Sequence, residues 1–220
     1  MRTVIAGGHG QIALRLERLL AERDDEVAGI IRKPEQADAL REAGAEPIVL
    51  DLEAASANDV AEVLRGAGAV VFAAGAGPGS GVARKETVDR DAAVLLADAA
   101  ERAGVRRYLM VSAMGADTDP RPGTDDVFAA YLRAKGAADA EVRHRTALDW
   151  TILRPGLLTN DPGTGRVRLA ASTGHGSVTR DDVAAVLAEL LDTPSTAGLT
   201  LELIGGHTPV SVAVKDIAGN

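Results

Sequence analysis

The sequence contains no cysteine among its 220 residues, which excludes disulfides, thiolate metal sites and a cysteine nucleophile. Aromatic residues make up only 2% of the chain, so stacking platforms for nucleic-acid bases are almost absent. The formal net charge of −8 points the same way, because binding to a phosphate backbone requires a basic face. We therefore expect no nucleic-acid partner.

Long apolar runs are also missing. No stretch approaches the roughly 20 residues that a membrane-spanning helix needs, and no basic-then-apolar leader stands before the first predicted strand. We therefore expect no membrane partner and a cytoplasmic location. No G-x-S-x-G turn follows a strand, which disfavours a Ser–His–Asp hydrolase.

The four histidines are scattered, with no second ligand at metal spacing, so no metal site is predicted. They are His9, His144, His175 and His207. His175 could face a substrate pocket, and a surface loop is the alternative interpretation.

Short apolar runs alternate with amphipathic segments along most of the chain, which predicts an α/β fold with a doubly wound parallel sheet. Strands are predicted at residues 4–6, 27–31, 47–50, 69–74, 107–112 and 150–153, and helices at 12–24, 36–43, 54–65, 87–103 and 124–146. Residues 75–81 form a loop that holds four glycines and a proline. We expect a single domain.

The last third of the chain changes character. Short runs at residues 166–170 and 199–204 and one helix at 181–191 are joined by segments rich in Gly, Pro and Thr. Residues 1–155 are predicted to form the cofactor-binding core, and residues 156–220 a small extension that builds the substrate pocket.

The N-terminal segment reads as strand, glycine turn and helix, with Gly7, Gly10 and Ala13 at the spacing of a dinucleotide fingerprint. Backbone N–H groups at such a turn, together with the helix dipole, favour a diphosphate. An ordinary strand–helix turn is the alternative, because such turns also use glycine. The predicted contacts at this turn are Gly7, His9, Gly10, Gln11 and Ile12.

Basic residues follow the second predicted strand. Arg32 and Lys33 stand where a carboxylate would bind the free ribose 2′-hydroxyl of NAD(H). A guanidinium there suits a 2′-phosphate, which predicts NADP(H) rather than NAD(H), and a solvated basic pair is the alternative. After the third strand, Asp51 and Leu52 are predicted to lie against the adenine ring. Asp51 could equally be the N-cap of the next helix.

A tyrosine and a lysine four residues apart fall on the helix predicted from residue 124. Tyr131 and Lys135 therefore share one helical face. A nearby cation lowers the pKa of a phenol, so Lys135 would make Tyr131 a better proton donor and would also hold the ribose hydroxyls. Chance spacing is the alternative. The position of this helix, after a strand that ends in Ser112, favours the catalytic interpretation.

Taken together, these segments resemble an atypical member of the short-chain dehydrogenase/reductase superfamily, in the branch of small NmrA-like and NAD(P)H-binding proteins. The resemblance covers nearly the whole chain. It rests on G-G-H-G-Q-I-A at the start, I-R-K after the second strand, Y-L-M-V-S-A-M-G-A-D, Y-L-R-A-K, W-T-I-L-R-P-G-L-L-T and S-V-T-R-D-D-V-A.

The resemblance implies a Rossmann-type sheet with NADP(H) on the glycine turn, Tyr131 as general acid/base and Lys135 as its electrostatic partner. It further implies that Arg154, Pro155, Gly156 and Leu157 lie beside the nicotinamide, and that Ala73, Ala74 and Gly75 line the path of the pyrophosphate and ribose. The chain departs from the family pattern at one place, where Ser112 is followed by Ala113 instead of a second hydroxyl residue. Either Ser112 takes that role from one position earlier, or the hydroxyl is missing and the chain departs from the carbonyl reduction typical of the family.

The predicted function is an NADP(H)-dependent oxidoreductase that transfers hydride between the nicotinamide and a small organic carbonyl or alcohol. We expect a small-molecule substrate and a monomer or homodimer. Two alternatives remain open. One is an NAD(P)-binding sensor or regulator without turnover, which Ala113 favours, and the other is an NAD(P)-dependent epimerase or isomerase.

Overall fold

The computed structural model describes residues 1–77, 79–120 and 123–219. Its strands are β1 (Arg2–Ala6), β2 (Glu26–Ile31), β3 (Glu46–Val49), β4 (Ala69–Phe72), β5 (Arg107–Val111), β6 (Asp149–Pro155), β7 (Leu157–Thr159), β8 (Arg166–Ala170), β9 (Ser177–Thr179), β10 (Leu199–Gly205) and β11 (Thr208–Pro209). Its α-helices are α1 (Gln11–Ala21), α2 (Ala37–Glu42), α3 (Ala57–Leu64), α4 (Val82–Arg84), α5 (Ala92–Ala103), α6 (Asp126–Arg143), α7 (Arg180–Leu191) and α8 (Val210–Ala218). A π-helical stretch (Lys85–Asp91) joins α4 to α5, and 3₁₀ turns occupy Pro34–Gln36 and Pro194–Thr196.

The central sheet has the strand order β11-β8-β10-β6-β5-β4-β1-β2-β3. The seven neighbouring strands β3, β2, β1, β4, β5, β6 and β10 run parallel, while β8 is antiparallel to both β10 and β11. The chain order reverses between β1 and β4, and open α/β sheets bind ligands at such a switch point. The predicted α/β class with a doubly wound, Rossmann-type sheet is confirmed.

Helices cover both faces of this sheet, because the buried side chains of each inner strand alternate between two cores. In β1, Ile5 belongs to the core beneath α1 and α7, whereas Val4 and Ala6 belong to the core beneath α3 and α5. In β5, Leu109 and Met110 divide in the same way. A strand buried on both faces must be apolar at every position, which is why these strands read as continuous apolar runs.

Several element boundaries differ from the prediction. The helix expected at residues 87–103 is part of a continuous helical segment that begins at Val82, since π-helical turns carry it through residues 85–91. The helix expected at 54–65 is shorter, because its N-cap is Ser56, whose side chain accepts from the Asp59 amide. Residue 78 of the predicted loop at 75–81 lies outside the described residues.

The C-terminal third also extends the central sheet. Strands β10, β8 and β11 add to its edge beyond β6. Strands β7 and β9 form a separate parallel pair directly after Pro155, at the carboxyl end of β6. Among the described residues, no helix combines the length and the apolar character that crossing a membrane requires.

The first turn of α7 holds the loop before β8 in place through hydrogen bonds. Asp182, buried at 2% exposure, accepts hydrogen bonds from the Thr164 amide (3.0 Å), the Gly165 amide (2.8 Å) and the Thr164 hydroxyl (3.0 Å). Removing the carboxylate would leave the Thr164 and Gly165 amides without their acceptor, whereas the Thr164 hydroxyl could still donate to the Arg166 carbonyl. We expect Asp182→Ala to lower the free energy of unfolding by about 2–4 kcal/mol, measured by urea denaturation monitored by circular dichroism.

The matched control is Asp126→Ala in the first turn of α6. Asp126 is exposed, and none of the described side-chain hydrogen bonds uses its carboxylate. Its replacement should change the free energy of unfolding by no more than about 0.5 kcal/mol. An equal loss in both variants would mean that the Asp182 contacts contribute nothing beyond a helix-terminal charge.

Candidate functional site

A cleft of about 280 Å³ opens at the carboxyl edge of the sheet, at the switch point between β1 and β4. Its walls are formed by the segments at the carboxyl ends of β1, β2, β3 and β4, which are neighbours in the sheet. The lining residues are Gly7, His9, Gly10, Ile30, Ile31, Arg32, Gln36, Leu50, Asp51, Leu52, Glu53, Ala73, Ala74, Gly75, Ala76, Arg84, Val88 and Ala92. Nine predicted cofactor contacts are among them: Gly7, His9, Gly10, Arg32, Asp51, Leu52, Ala73, Ala74 and Gly75.

The glycine turn forms the floor of this cleft. Gly7 has φ +82°, and a Cβ placed on it would lie 2.6 Å from the Ala74 Cα, so only glycine fits. The Gly7 carbonyl accepts from the Gly10 amide at 2.8 Å, which closes the turn. Gly10 is the N-cap of α1 and brings no capping side chain. The first amides of α1, those of Gln11 and Ile12, are therefore left for an anionic ligand.

A buried carboxyl lies directly beneath the turn. Glu17 of α1 is 0% exposed, and neither of its carboxyl oxygens has a hydrogen-bond partner among the described residues. Its Oε1 packs so closely against Gly8 and Gly29 that a Cβ on either glycine would lie 2.9 Å or 2.5 Å from it. Burial raises the pKa of Glu17 to about 8. The signal in the sequence was its place on the apolar face of α1, between Ala13 and Leu20, which the prediction overlooked.

A cluster of charged residues lies at the far end of the cleft, past β2 and β3. Arg84 donates to Glu53 Oε2 at 2.7 Å, and Arg32 donates to the same oxygen at 3.4 Å. Thr87 donates its hydroxyl to Glu53 Oε1 at 2.7 Å. The Arg84 guanidinium and the Thr87 hydroxyl hold the pKa of Glu53 below its ordinary value. Glu53 and Arg84 carry no signal in the sequence, because they are distant from Arg32 in the chain and match no motif.

The neighbours of Arg32 differ in their roles. Lys33 is exposed and does not line the cleft; its backbone amide donates to Gln36 Oε1 at 3.1 Å at the start of the 3₁₀ turn. Asp51 lines the cleft and accepts from the Glu53 amide at 3.0 Å. Asp51 is not the N-cap of the next helix, and that alternative is wrong, since Ser56 caps α3.

Lys135 reaches the back wall of the cleft from α6. The side chain is buried at 3% exposure, and its Nζ donates to the Val111 carbonyl at 3.0 Å and to the Ala74 carbonyl at 3.5 Å. Asp89 of the π-helical stretch, 0% exposed, lies 3.5 Å from the same Nζ and also accepts from the Ala76 amide at 3.3 Å. Burial lowers the pKa of Lys135, and Asp89 opposes that shift. Asp89 therefore joins the lysine to the backbone that lines the cleft.

Tyr131 lies one turn before Lys135, on the same face of α6. The Lys135 Nζ is 6.0 Å from the centroid of its ring, and the Lys85 Nζ is 5.4 Å from it. Burial raises the pKa of Tyr131, and the carboxylates of Asp89 and Asp139 raise it further. The expectation that Lys135 lowers the pKa of Tyr131 is therefore wrong in the absence of a ligand. The effect of burial is larger than that of the Lys135 ammonium, which is already paired with Asp89.

Another buried acid lies one turn further along the same face of α6. Asp139, 0% exposed, accepts from Arg154 Nε at 2.9 Å, and Arg154 Nη1 in turn lies 2.7 Å from Asp117 Oδ2. Burial raises the pKa of Asp139, while the Ser112 hydroxyl and Arg154 oppose that shift. Arg154 thus ties the end of β6 to α6 beside Ser112. Asp139 stands four residues after Lys135, a spacing that could have identified it.

The residues after β6 lie close to the loop that precedes β9. A Cβ on Gly156 would lie 2.3 Å from the Gly176 carbonyl, which also accepts from the Leu157 amide at 2.9 Å. Pro155 is buried, whereas the Leu157 side chain is 73% exposed. His175 is exposed in that loop, next to Gly176. In the described residues, no group of three His, Asp or Glu side chains has the geometry of a metal site.

The residues of the cleft fit a dinucleotide. The turn at Gly7 has no room for a side chain yet leaves helix amides without acceptors, as a diphosphate requires. Leu50 and Leu52 give the far end apolar surface suited to a purine, and Arg32 and Arg84 stand at its rim. Lys135 lies behind the cleft wall, where its Nζ donates to the carbonyls of Ala74 and Val111, and neither Ser112, Tyr131 nor Lys135 lines the cleft itself.

Comparison with known proteins agrees with this fit. The model of an NAD(P)H-binding family matches residues 7–194. The sugar epimerase YhfK of Bacillus subtilis, named as uncharacterized, is 36% identical over 218 residues, covering 99% of this chain and 100% of that protein. A solved Bacillus halodurans protein named as an NAD-dependent epimerase/dehydratase superposes with a TM-score of 0.90 at 36% identity, covering 98% of this chain and 99% of that one. The oxidoreductase ylbE from Lactococcus lactis superposes with a TM-score of 0.87 at 27% identity, covering 100% and 98%.

Proposed function

The chain belongs to the NAD(P)H-binding family, in the NmrA-like branch of the short-chain dehydrogenase/reductase superfamily, and from this premise we propose that it is an NADP(H)-dependent oxidoreductase. Its substrate is a small organic carbonyl or alcohol. The observation that carries the proposal is the cradle at Gly7, where a side chain would collide with Ala74 and where α1 starts without a capping side chain. The cradle lies at the switch point of the sheet, and Lys135 contacts the wall of the same cleft through the Ala74 carbonyl.

When bound, the nicotinamide supplies or accepts a hydride. The residues of the chain do the remaining work. Amides at the start of α1 hold the diphosphate, and Arg32 receives the ribose 2′-phosphate. Pro155, Gly156 and Leu157 would contact the nicotinamide. Together these contacts fix the position of the reacting carbon, which is a large part of the rate in such reactions.

Tyr131 moves the proton. In the direction of reduction, its phenol would donate a proton to the oxygen of a carbonyl whose carbon is reduced by the bound nicotinamide, so that an alcohol leaves and the phenolate regains a proton from water. The phenol is protonated at neutral pH, as this direction requires, although its raised pKa makes it a weaker acid than a free tyrosine. Ser112 orients the carbonyl in place of the hydroxyl that Ala113 lacks.

The cofactor assignment is tested by titrating NADPH and NADH against the native protein and against Arg32→Ala. We expect NADPH to bind the native protein more tightly than NADH. Loss of a charge-assisted hydrogen bond of about 1.5–3 kcal/mol should weaken NADPH roughly ten- to hundred-fold in the variant, with NADH nearly unchanged. Fluorescence of the reduced nicotinamide provides the measurement, and equal affinity of the native protein for both nucleotides would contradict the role of Arg32.

A sensor without turnover is the second candidate. It is favoured by Ala113 and by the Lys135 ammonium, which is already paired with the Val111 carbonyl and Asp89. A sensor would bind NADPH with similar affinity and would oxidise it with no member of a panel of small aldehydes and ketones. An epimerase, the activity in the name of the B. subtilis relative, would instead retain its nucleotide through purification and produce no net redox change.

A further inference from the structure

The charged cluster at the adenosine end contains groups that hydride transfer and diphosphate binding leave unused. We propose that Arg84 and Glu53 determine which nicotinamide dinucleotide is bound, with Arg84 supplying a second guanidinium to the ribose 2′-phosphate beside Arg32. This inference rests on the proposed function, since it presupposes a dinucleotide in the cleft. It adds a residue from the helical segment after β4 to a selectivity site otherwise assigned to the end of β2.

The geometry brings two guanidinium groups to a single point. Arg84 Nη2 lies 2.7 Å and Arg32 Nη1 lies 3.4 Å from the same carboxylate oxygen, Glu53 Oε2. All three residues line the cleft. They come from three separate elements, namely the end of β2, the loop after β3 and α4, which meet beside the strand that normally carries the ribose contact. An anion placed next to Glu53 Oε2 meets both guanidinium groups.

Glu53 holds Arg84 in this position before any ligand arrives. Its second oxygen accepts from the Thr87 hydroxyl at 2.7 Å, so the carboxylate is fixed by two residues of the helical segment that begins at Val82. The Glu53 side chain is 25% exposed and that of Arg84 is 39% exposed. The guanidinium is thus accessible to a ligand yet already oriented, which reduces the entropy lost on binding.

The charges of the cluster explain why Arg84 and Glu53 have opposite effects on the preference for NADP(H). Arg32 and Arg84 carry two positive charges, and Asp51 and Glu53 carry two negative charges. A 2′-phosphate brings additional negative charge, which Arg84 attracts and Glu53 repels. A free 2′-hydroxyl brings none and can donate a hydrogen bond to a carboxylate. Arg84 therefore favours NADP(H), and Glu53 moderates that preference.

The test measures four affinities by isothermal titration calorimetry on the full chain: NADPH, NADH, adenosine 2′,5′-bisphosphate and 5′-AMP. In Arg84→Met, NADPH and the 2′,5′-bisphosphate should each bind about tenfold more weakly or worse, while NADH and 5′-AMP change by no more than about twofold. In Glu53→Gln, whose amide oxygen can still accept from Arg84 and keep it oriented while the negative charge is lost, NADPH should bind several-fold more tightly. Raising the salt concentration should reduce the native preference for NADPH.

Arg90→Met is the matched control. Arg90 lies on the same helical segment, is 40% exposed and pairs with its neighbour Asp91 at 2.7 Å, outside the cleft. All four affinities should match those of the native protein. An Arg84→Met variant that weakens all four nucleotides alike, or none, overturns the role of Arg84, and weaker NADPH binding by Glu53→Gln overturns the role of Glu53. If the native protein binds none of the four, the proposed function itself fails, which is a separate result.

Discussion

Tyr131→Phe should reduce turnover about 10²- to 10⁴-fold, because it removes the only atom of the side chain that can pass a proton to a carbonyl oxygen. The ring and its packing against Phe128, with centroids 6.0 Å apart, are retained. The affinity for NADPH should stay nearly unchanged, since the proposed contacts to the diphosphate and 2′-phosphate lie on the glycine turn and at Arg32. Oxidation of NADPH is followed with a carbonyl substrate of the native protein, first identified from the aldehyde and ketone panel.

Tyr108→Phe is the control for this loss. Tyr108 is fully buried in β5 and donates its hydroxyl to the Ala93 carbonyl at 2.9 Å, far from any proposed step. It should lower stability while leaving the turnover of each folded molecule intact. Unchanged turnover in Tyr131→Phe would remove Tyr131 from the mechanism, and Lys85, whose Nζ lies 5.4 Å from the ring centroid, would become the nearest alternative proton donor.

Glu17→Gln should abolish a large fall in stability between about pH 5 and pH 8. In the unfolded chain this carboxyl ionises near its ordinary pKa of 4.5, whereas burial keeps it protonated in the folded protein up to about 8. Within that range the unfolded state binds fewer protons than the folded state, so the free energy of unfolding decreases as the pH rises. At about 1.4 kcal/mol for each pH unit, this single group accounts for roughly 3–5 kcal/mol.

The measurement is urea denaturation of the native and variant proteins at pH 5 and at pH 8. Because the glutamine is neutral throughout, the variant should gain stability relative to the native protein as the pH rises. Glu22→Gln, at the exposed end of the same helix, should follow the native protein at both pH values. Parallel pH dependences for the native protein and Glu17→Gln would mean that Glu17 is ionised in the folded state.

The order and type of the elements could be predicted from local patterns. Strands buried on both faces are apolar throughout, amphipathic helices show their period, and Gly7 and Gly10 mark a turn that a side chain would block. The boundaries of the elements were harder to predict from the sequence. The start at Val82 depends on π-helical turns over 85–91, which leave no simple period in the sequence. The addition of β8, β10 and β11 to the sheet depends on pairing between distant short segments.

The sequence by itself determined the fold class, the glycine cradle and the family, because each depends on residues close together in the chain. Only the tertiary structure decided the environment of each ionisable group. It placed Glu53 and Arg84 beside Arg32, placed Asp89 beside Lys135 and buried Tyr131 in part, so that the pKa of Tyr131 rises where the spacing alone predicted a fall. Burial and charge pairing depend on what the fold brings from distant parts of the chain, and no local spacing contains that information.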